Sequence, residues 1–195
     1  MSKDNVLVRK AVGIEAAGSM NILFTDKTGT LTEGHPTVTD LIPLSGTQKD
    51  LLCTAAAVEV LSTHPLARAI CDAATAAGYG IPTAQDFISR TGYGIGATVN
   101  SNICLIGKEE YLRDGGVCEE ELTRAREEAV SLEEQGKTVV TVSCADHVLG
   151  LIALSDRLRP DSVRAVAALR KLGCRTLMLT GDNPHTAEKI AKEAG

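Results

Sequence analysis

The chain has 195 residues, 44% of them apolar and 23% charged, which suits one medium globular domain or two small ones. A net charge of −5, without clustered Lys and Arg, argues against a nucleic-acid partner. No stretch approaches the roughly 18 apolar residues of a membrane span, and the opening MSKDNVLVRK lacks the apolar centre of a secretory signal, so any membrane part is expected outside this chain.

In chain order, Asn21–Thr25 is a short apolar run that ends on Asp26 and reads as a buried strand delivering an acid at its C-terminal end. Thr37 to Leu44 is β-branched and strand-like. Thr47 to Ser62 and Pro65 to Ala77 have helical spacing, with Pro65 suited to a first turn and Gly78 and Gly80 to a stop. Phe87 to Val99 reads as a strand interrupted by Gly92, Gly94 and Gly96, and Ile103 to Gly107 as another. Glu119 to Glu134 is a charged helix that stops at Gly136. Thr138 to Ser143 and Val148 to Leu154 flank Ala145-Asp146-His147 as a hairpin. Pro160 to Leu172 is an amphipathic helix closed by Gly173. An apolar strand, Arg175 to Leu179, follows, then the turn Thr180-Gly181-Asp182-Asn183 and a helix from Pro184. An α/β unit at both ends thus encloses an α+β insert. The six cysteines contain no CxxC pair and the four histidines are dispersed, so reduced thiols and no zinc cluster are expected.

The densest chemical signal is Asp26-Lys27-Thr28-Gly29-Thr30-Leu31-Thr32. A carboxylate at a strand end, followed by a glycine turn, can attack a phosphoryl group whose oxygens are held by backbone amides. An Asp before a turn is also a common structural device. The complete string resembles the phosphorylation motif of P-type ATPases, which implies that Asp26 becomes an aspartyl phosphate. Soluble phosphatases of the same superfamily usually carry a second aspartate two positions on, as general acid/base. Here that position is Thr28, which cannot efficiently activate water. The resemblance further implies Mg2+ held by the Asp26 carboxylate and the Thr28 carbonyl, a hard cation on oxygen ligands. Thr180-Gly181-Asp182-Asn183 resembles the second phosphate-site motif of that family, with Thr180, Gly181 and Asp182 joining Asp26, Lys27 and Thr28 in the catalytic set. Asp156-Arg157-Leu158-Arg159-Pro160 and Thr32-Glu33-Gly34 resemble its two hinge segments.

Ser62-Thr63-His64-Pro65-Leu66 resembles the His-Pro motif of the heavy-metal class, with Thr63 where that class commonly has Glu. Taken alone, a His before a helix is a surface or capping residue. Glu59 matches the adenine-contacting glutamate of that class, and Gly92-Tyr93-Gly94-Ile95-Gly96 its glycine turn, where missing Cβ atoms let backbone approach a nucleotide. A β-bulge would explain the same glycines. Many other P-type ATPases stack adenine on a phenylalanine. This chain has only Phe24 and Phe87, and Phe24 belongs to the strand before Asp26. The resemblance thus implies that ATP is held by Glu59, His64, Gly92, Gly94 and Gly96, and the scarcity of phenylalanine favours His64 and Glu59 as the adenine readers. Lys108, where copper-pump relatives often have Asn, either contacts phosphate or is solvated.

The resemblance implies an incomplete Rossmann-like, haloacid-dehalogenase-type phosphorylation domain (1–34 and 154–195) with an inserted α+β nucleotide-binding domain (35–153), an antiparallel sheet flanked by helices. It also implies the cytoplasmic portion of an integral membrane pump, with transmembrane and actuator domains as partners and ATP and Mg2+ as cofactors. A downstream lysine and acidic loop are absent, so little or no turnover is expected, and Asn21–Thr25 would form an apolar sheet edge open to self-association. A soluble phosphatase, or a nucleotide-binding module in which Asp26 is inert, are the competing readings. The transported ion is not encoded here.

Overall fold

The computed structural model describes residues 11–181 and 184–195. Helix α1 (Ala11–Gly18) precedes strand β1 (Ile22–Asp26), and the chain then makes a tight turn over 27–31. β1 pairs in parallel with β8 (Arg175–Leu179), so that Asp26 lies beside Leu179. Helix α6 (Pro160–Lys171) precedes β8, and α7 (Pro184–Ala194) comes after it.

Between these segments lies a six-stranded antiparallel sheet in the order β2-β7-β6-β5-β4-β3. Its strands are β2 (Thr37–Pro43), β3 (Ala84–Arg90), β4 (Gly94–Val99), β5 (Asn102–Gly107), β6 (Thr138–Cys144) and β7 (His147–Ser155). One face is covered by α2 (Gln48–Glu59) and α3 (Pro65–Ala76), the other by α4 (Glu109–Asp114) and α5 (Glu119–Glu133). Central strands are therefore apolar on both sides, and their alternation sorts residues between two cores. Cys104, Ile106, Ile152 and Leu154 pack under α2 and α3, whereas Leu105, Val148 and Leu151 pack under α4 and α5. In α2, Ala55, Ala56 and Ala57 are completely buried, and such short side chains let the helix lie close to the sheet. Its start is fixed by a reciprocal cap: Thr47 Oγ1 accepts from the Asp50 amide (3.2 Å), and the Asp50 carboxylate accepts from the Thr47 amide (3.1 Å).

Expectations are corrected at several points. The segment 87–99 is two strands, β3 and β4, joined by a turn in which Gly92 has φ 81°, a conformation that reverses the chain where a single interrupted strand was expected. Helix α4 lies in a segment to which the sequence assigns no element; a six-residue helix carries too little periodicity to show in sequence. Strand β1 is not buried: Phe24 is 61% and Ile22 43% exposed, because β8 is its sole strand partner among the described residues. Cys104 and Cys144, expected as dispersed thiols, sit opposite each other on β5 and β6 with their sulfurs brought together. Forty residues of sequence separate them, so only the sheet register brings them together.

Candidate phosphoryl-transfer and nucleotide site

Two parallel strands ending side by side expose their C-terminal ends to one place, where α/β folds bind ligands. β1 ends on Asp26 and β8 runs into Thr180-Gly181. Residues 26–28 and 180–181 form one side of a cavity of about 450 Å3, and Pro36, His64, Pro65, Leu66, Thr138, Leu154 and Asp156 complete it. Asp182 lies outside the described residues. Of the expected catalytic set, the fold thus gathers Asp26, Lys27, Thr28, Thr180 and Gly181, and it brings His64 to the same cavity.

The turn after Asp26 is held from below. Gly29 has φ 73°, which its lack of a Cβ permits. Thr32 is fully buried; its hydroxyl donates to the Asp156 carboxylate (2.6 Å), accepts from the Gly29 amide (3.2 Å), and lies 3.1 Å from the Lys27 carbonyl. The Thr32 amide closes the turn on the same carbonyl at 3.0 Å. Asp156 also accepts from the His35 amide (3.3 Å). Segments 31–35 and 156–159 are tied as a short antiparallel pair: Glu33 N to Arg157 O at 2.8 Å, Arg159 N to Leu31 O at 2.9 Å, and a bridge between Thr32 and Leu158. The two chain crossings between the parallel pair and the large sheet are therefore one ordered linker. The sequence marked both segments, but the Thr32–Asp156 bond joins residues 124 apart and needs the fold.

His64 caps α3, its Nδ1 accepting from the Leu66 amide (3.2 Å), while its own amide donates to Ser62 Oγ (3.2 Å). Capping and a ligand role are therefore compatible. A neutral ring that accepts at Nδ1 carries its proton on Nε2, leaving a donor for a purine nitrogen or a phosphate oxygen. Glu59, the last residue of α2, is 6% exposed, and burial pushes its carboxyl up to about 7 although the Ser62 side chain bonds to it. A carboxyl that titrates near neutrality can donate or accept.

Glu59, Gly92, Gly94 and Gly96 do not line the cavity that holds Asp26. The glycines have a local cause besides any ligand. A Cβ on Gly94 would stand 2.3 Å from the Ile106 carbonyl, and one on Gly96 would stand 2.6 Å from Leu105 Cδ2 and 3.1 Å from the Tyr111 hydroxyl. β4 is glycine-rich because β5 and α4 press on it; of these three glycines it is Gly92, in the turn before β4, whose missing side chain opens onto empty space. Lys108 caps α4, its side chain exposed, and its amide donates to the Tyr93 carbonyl (2.8 Å). Among the described residues, no group of three or more His, Cys, Asp or Glu is arranged to hold a metal.

Residues 20–195 match the profile of the haloacid dehalogenase-like hydrolases. The chain belongs to that family. Within it, the relatives are heavy-metal P-type ATPases. The copper-exporting P-type ATPase B of Archaeoglobus fulgidus is 36% identical over 194 residues, which covers all of this chain and 27% of that protein. A crystal structure of a zinc-transporting PIB-type ATPase in its E2.Pi state aligns with TM-score 0.64 and 43% identity, over 93% of this chain and 29% of that one. The catalytic domain of the CPx-ATPase CopB-B, from a study of its conformational changes upon nucleotide binding, aligns with TM-score 0.67 and 25% identity, over 96% of this chain and 63% of that one. This member of the family therefore spans about a quarter of its curated relative and corresponds to the catalytic segment of such pumps. Copper and zinc transporters are both among these relatives. Among the described residues, no helix is long and apolar enough to cross a membrane.

Proposed function

We propose that this chain is the ATP-binding and phosphate-accepting part of a heavy-metal-transporting P-type ATPase, working through an aspartyl phosphate on Asp26. The observation that carries the reading is the single cavity shared by the Asp26 turn, the Thr180-Gly181 turn and His64. Residues 1–34 and 154–195 are assigned to the phosphorylation unit and 35–153 to the nucleotide unit. The nucleotide base is assigned to Glu59, His64, Gly92, Gly94 and Gly96, which directs the triphosphate toward Asp26.

An Asp26 oxygen attacks the γ-phosphorus as the bond from that phosphorus to the β,γ-bridging oxygen breaks, and ADP leaves with the bond's electron pair. Lys27, Thr180 and the amides of the two turns receive the negative charge on the equatorial oxygens. The Asp26 carboxylate and the Thr28 carbonyl are an all-oxygen pair suited to Mg2+, whose chemistry is to neutralise phosphate charge. Two ligands are too few, so the ATP phosphates, water or Asp182 would complete the set. Thr28 cannot deprotonate water efficiently, so the acyl phosphate persists long enough to drive transport. The transmembrane and actuator domains of the pump are its partners, and its place is the cytoplasmic side of the membrane.

Incubation with γ-labelled ATP and Mg2+ tests the reading, with the chain set in the full-length pump. An acid-stable, hydroxylamine-labile phosphoenzyme is expected, lost in Asp26→Asn while ATP binding is kept. Label that survives in Asp26→Asn, or ATP binding lost there with the fold intact, would sink it.

A further inference from the structure

Helix α5 ends in the turn Gln135-Gly136-Lys137, where the Gly136 amide bonds back to the Glu133 carbonyl at 2.8 Å and Gly136 adopts φ 75°. A helix end leaves carbonyls without intrahelical donors, and they need partners from elsewhere. The amides of 134–137 serve those of α5, and the turn itself takes donors for two of its own carbonyls from α7. Thr186, 2% exposed, donates from its hydroxyl to the Lys137 carbonyl at 2.9 Å. Lys189 donates from its ammonium to the Gln135 carbonyl, a cation placed where a helix C-terminus favours one. The two donors stand three apart on α7 and so share one face of it. Between them the Lys189 stem runs across Gly136, where an added Cβ would lie 2.6 Å from its Cδ. From the opposite side the turn is anchored to the large sheet: Lys137 Nζ bonds Asp40 Oδ2 on β2 at 2.7 Å, and this bond, with a second from Thr39, holds the Asp40 carboxyl below its usual range.

The position of this contact gives it a consequence. α7 follows Thr180-Gly181, and Lys137 precedes Thr138; Thr180, Gly181 and Thr138 all line the Asp26 cavity. The linker at 31–35 and 156–159 is the covalent tie between the two units, and the α5 turn with α7 is a second, noncovalent one. We propose that the Gln135–Lys137 turn is a docking latch for α7, in which Thr186 and Lys189 cap its two carbonyls and hold the nucleotide unit closed over the Asp26 cavity. The latch does not depend on ATP being the ligand, although it rests on the two-unit reading of the chain. The two units swing apart only when both bonds break, so opening and closing are set by a few weak contacts and the linker.

Thr186→Ala/Lys189→Ala in this chain removes both donors. Small-angle scattering should then show a larger radius of gyration than the wild type, and amide exchange across 186–194 should speed up roughly thirtyfold, the loss expected for two hydrogen bonds of ordinary net strength. Exchange in β6 and β7 should stay as it was, and Thr186→Ser, which keeps the hydroxyl, should restore the compact form in the Lys189 background. If the double variant does not fold, Asp40→Asn reaches the turn from the sheet side alone and must raise α7 exchange at least twofold. An unchanged radius of gyration, or faster α7 exchange without expansion, overturns the latch. ATP affinity, measured in parallel, reads the nucleotide site instead: its absence in the wild type would refute the proposed function and leave the latch standing.

Discussion

Replacing Glu59 by Gln should make this protein more stable at pH 8 and change little of the pH-dependent part at pH 4.5. In the folded chain Glu59 is 6% exposed, and burial raises its carboxyl from 4.5 to about 7, opposed by the bond from Ser62. Between those two values the folded state retains a proton that the unfolded chain has released. Native binding then exceeds unfolded binding, so the stability contributed by this group falls as pH rises through that window and is flat above it. A shift from 4.5 to about 7 corresponds to about 3 kcal/mol at 1.36 kcal/mol per unit. Gln has the same shape and no proton to lose, but its second N–H needs a partner, an offset of about 1–2 kcal/mol that is independent of pH. The slope of the difference is therefore the readout. Urea melts of wild type and variant at half-unit steps from pH 4.5 to 8 cancel every other titration. The expected difference grows by about 3 kcal/mol in favour of Gln and levels off near pH 8. A difference that does not vary with pH would show that Glu59 ionises freely at its site and would refute the reasoning.

Calorimetry should show ATP binding weakened by about 1–2 kcal/mol in His64→Ala, through loss of one Nε2 donor and a ring contact. The same change should lower the stability of α3 by about 1 kcal/mol through loss of the cap; unchanged ATP affinity would remove His64 from the site. Gly94→Ala puts a Cβ 2.3 Å from the Ile106 carbonyl, so thermal melts should show a loss of about 1–3 kcal/mol whether or not ATP is present. A loss of ATP affinity with no change in melting would instead assign that glycine to the ligand alone. Self-association through β1 should appear as concentration-dependent light scattering, since Ile22 and Phe24 are exposed on a strand with one partner. Phe24→Lys should suppress it, and scattering that persists in that variant would place the contact elsewhere.

The sequence by itself determined most of the elements and marked the residues on which the proposed chemistry rests. Local strings carry local chemistry: the Asp26–Thr32 run, the Thr180-Gly181 turn and the Ser62–Leu66 run each mark a strand end or helix start within a few residues, and α2, α3, α5 and α6 declare themselves by their period, helped by Pro or Gly at several of their ends. What it left undecided depends on neighbours that are distant in sequence. The reason Gly94 and Gly96 must be glycine is the approach of β5 and Tyr111, which no GxGxG pattern can distinguish from the approach of a ligand. Cys104 meets Cys144 through strand register, and Thr32 meets Asp156 through the crossing of the linker. Exposure of Phe24 depends on how many strands flank β1, although its own sequence reads as core. The meeting of His64 with Asp26, and of Thr186 with Lys137, is set by how one unit closes on the other. Spacing in the chain fixes which atoms share a turn or a face; which turns and faces share a cavity is fixed only when burial and hydrogen bonding choose one packing.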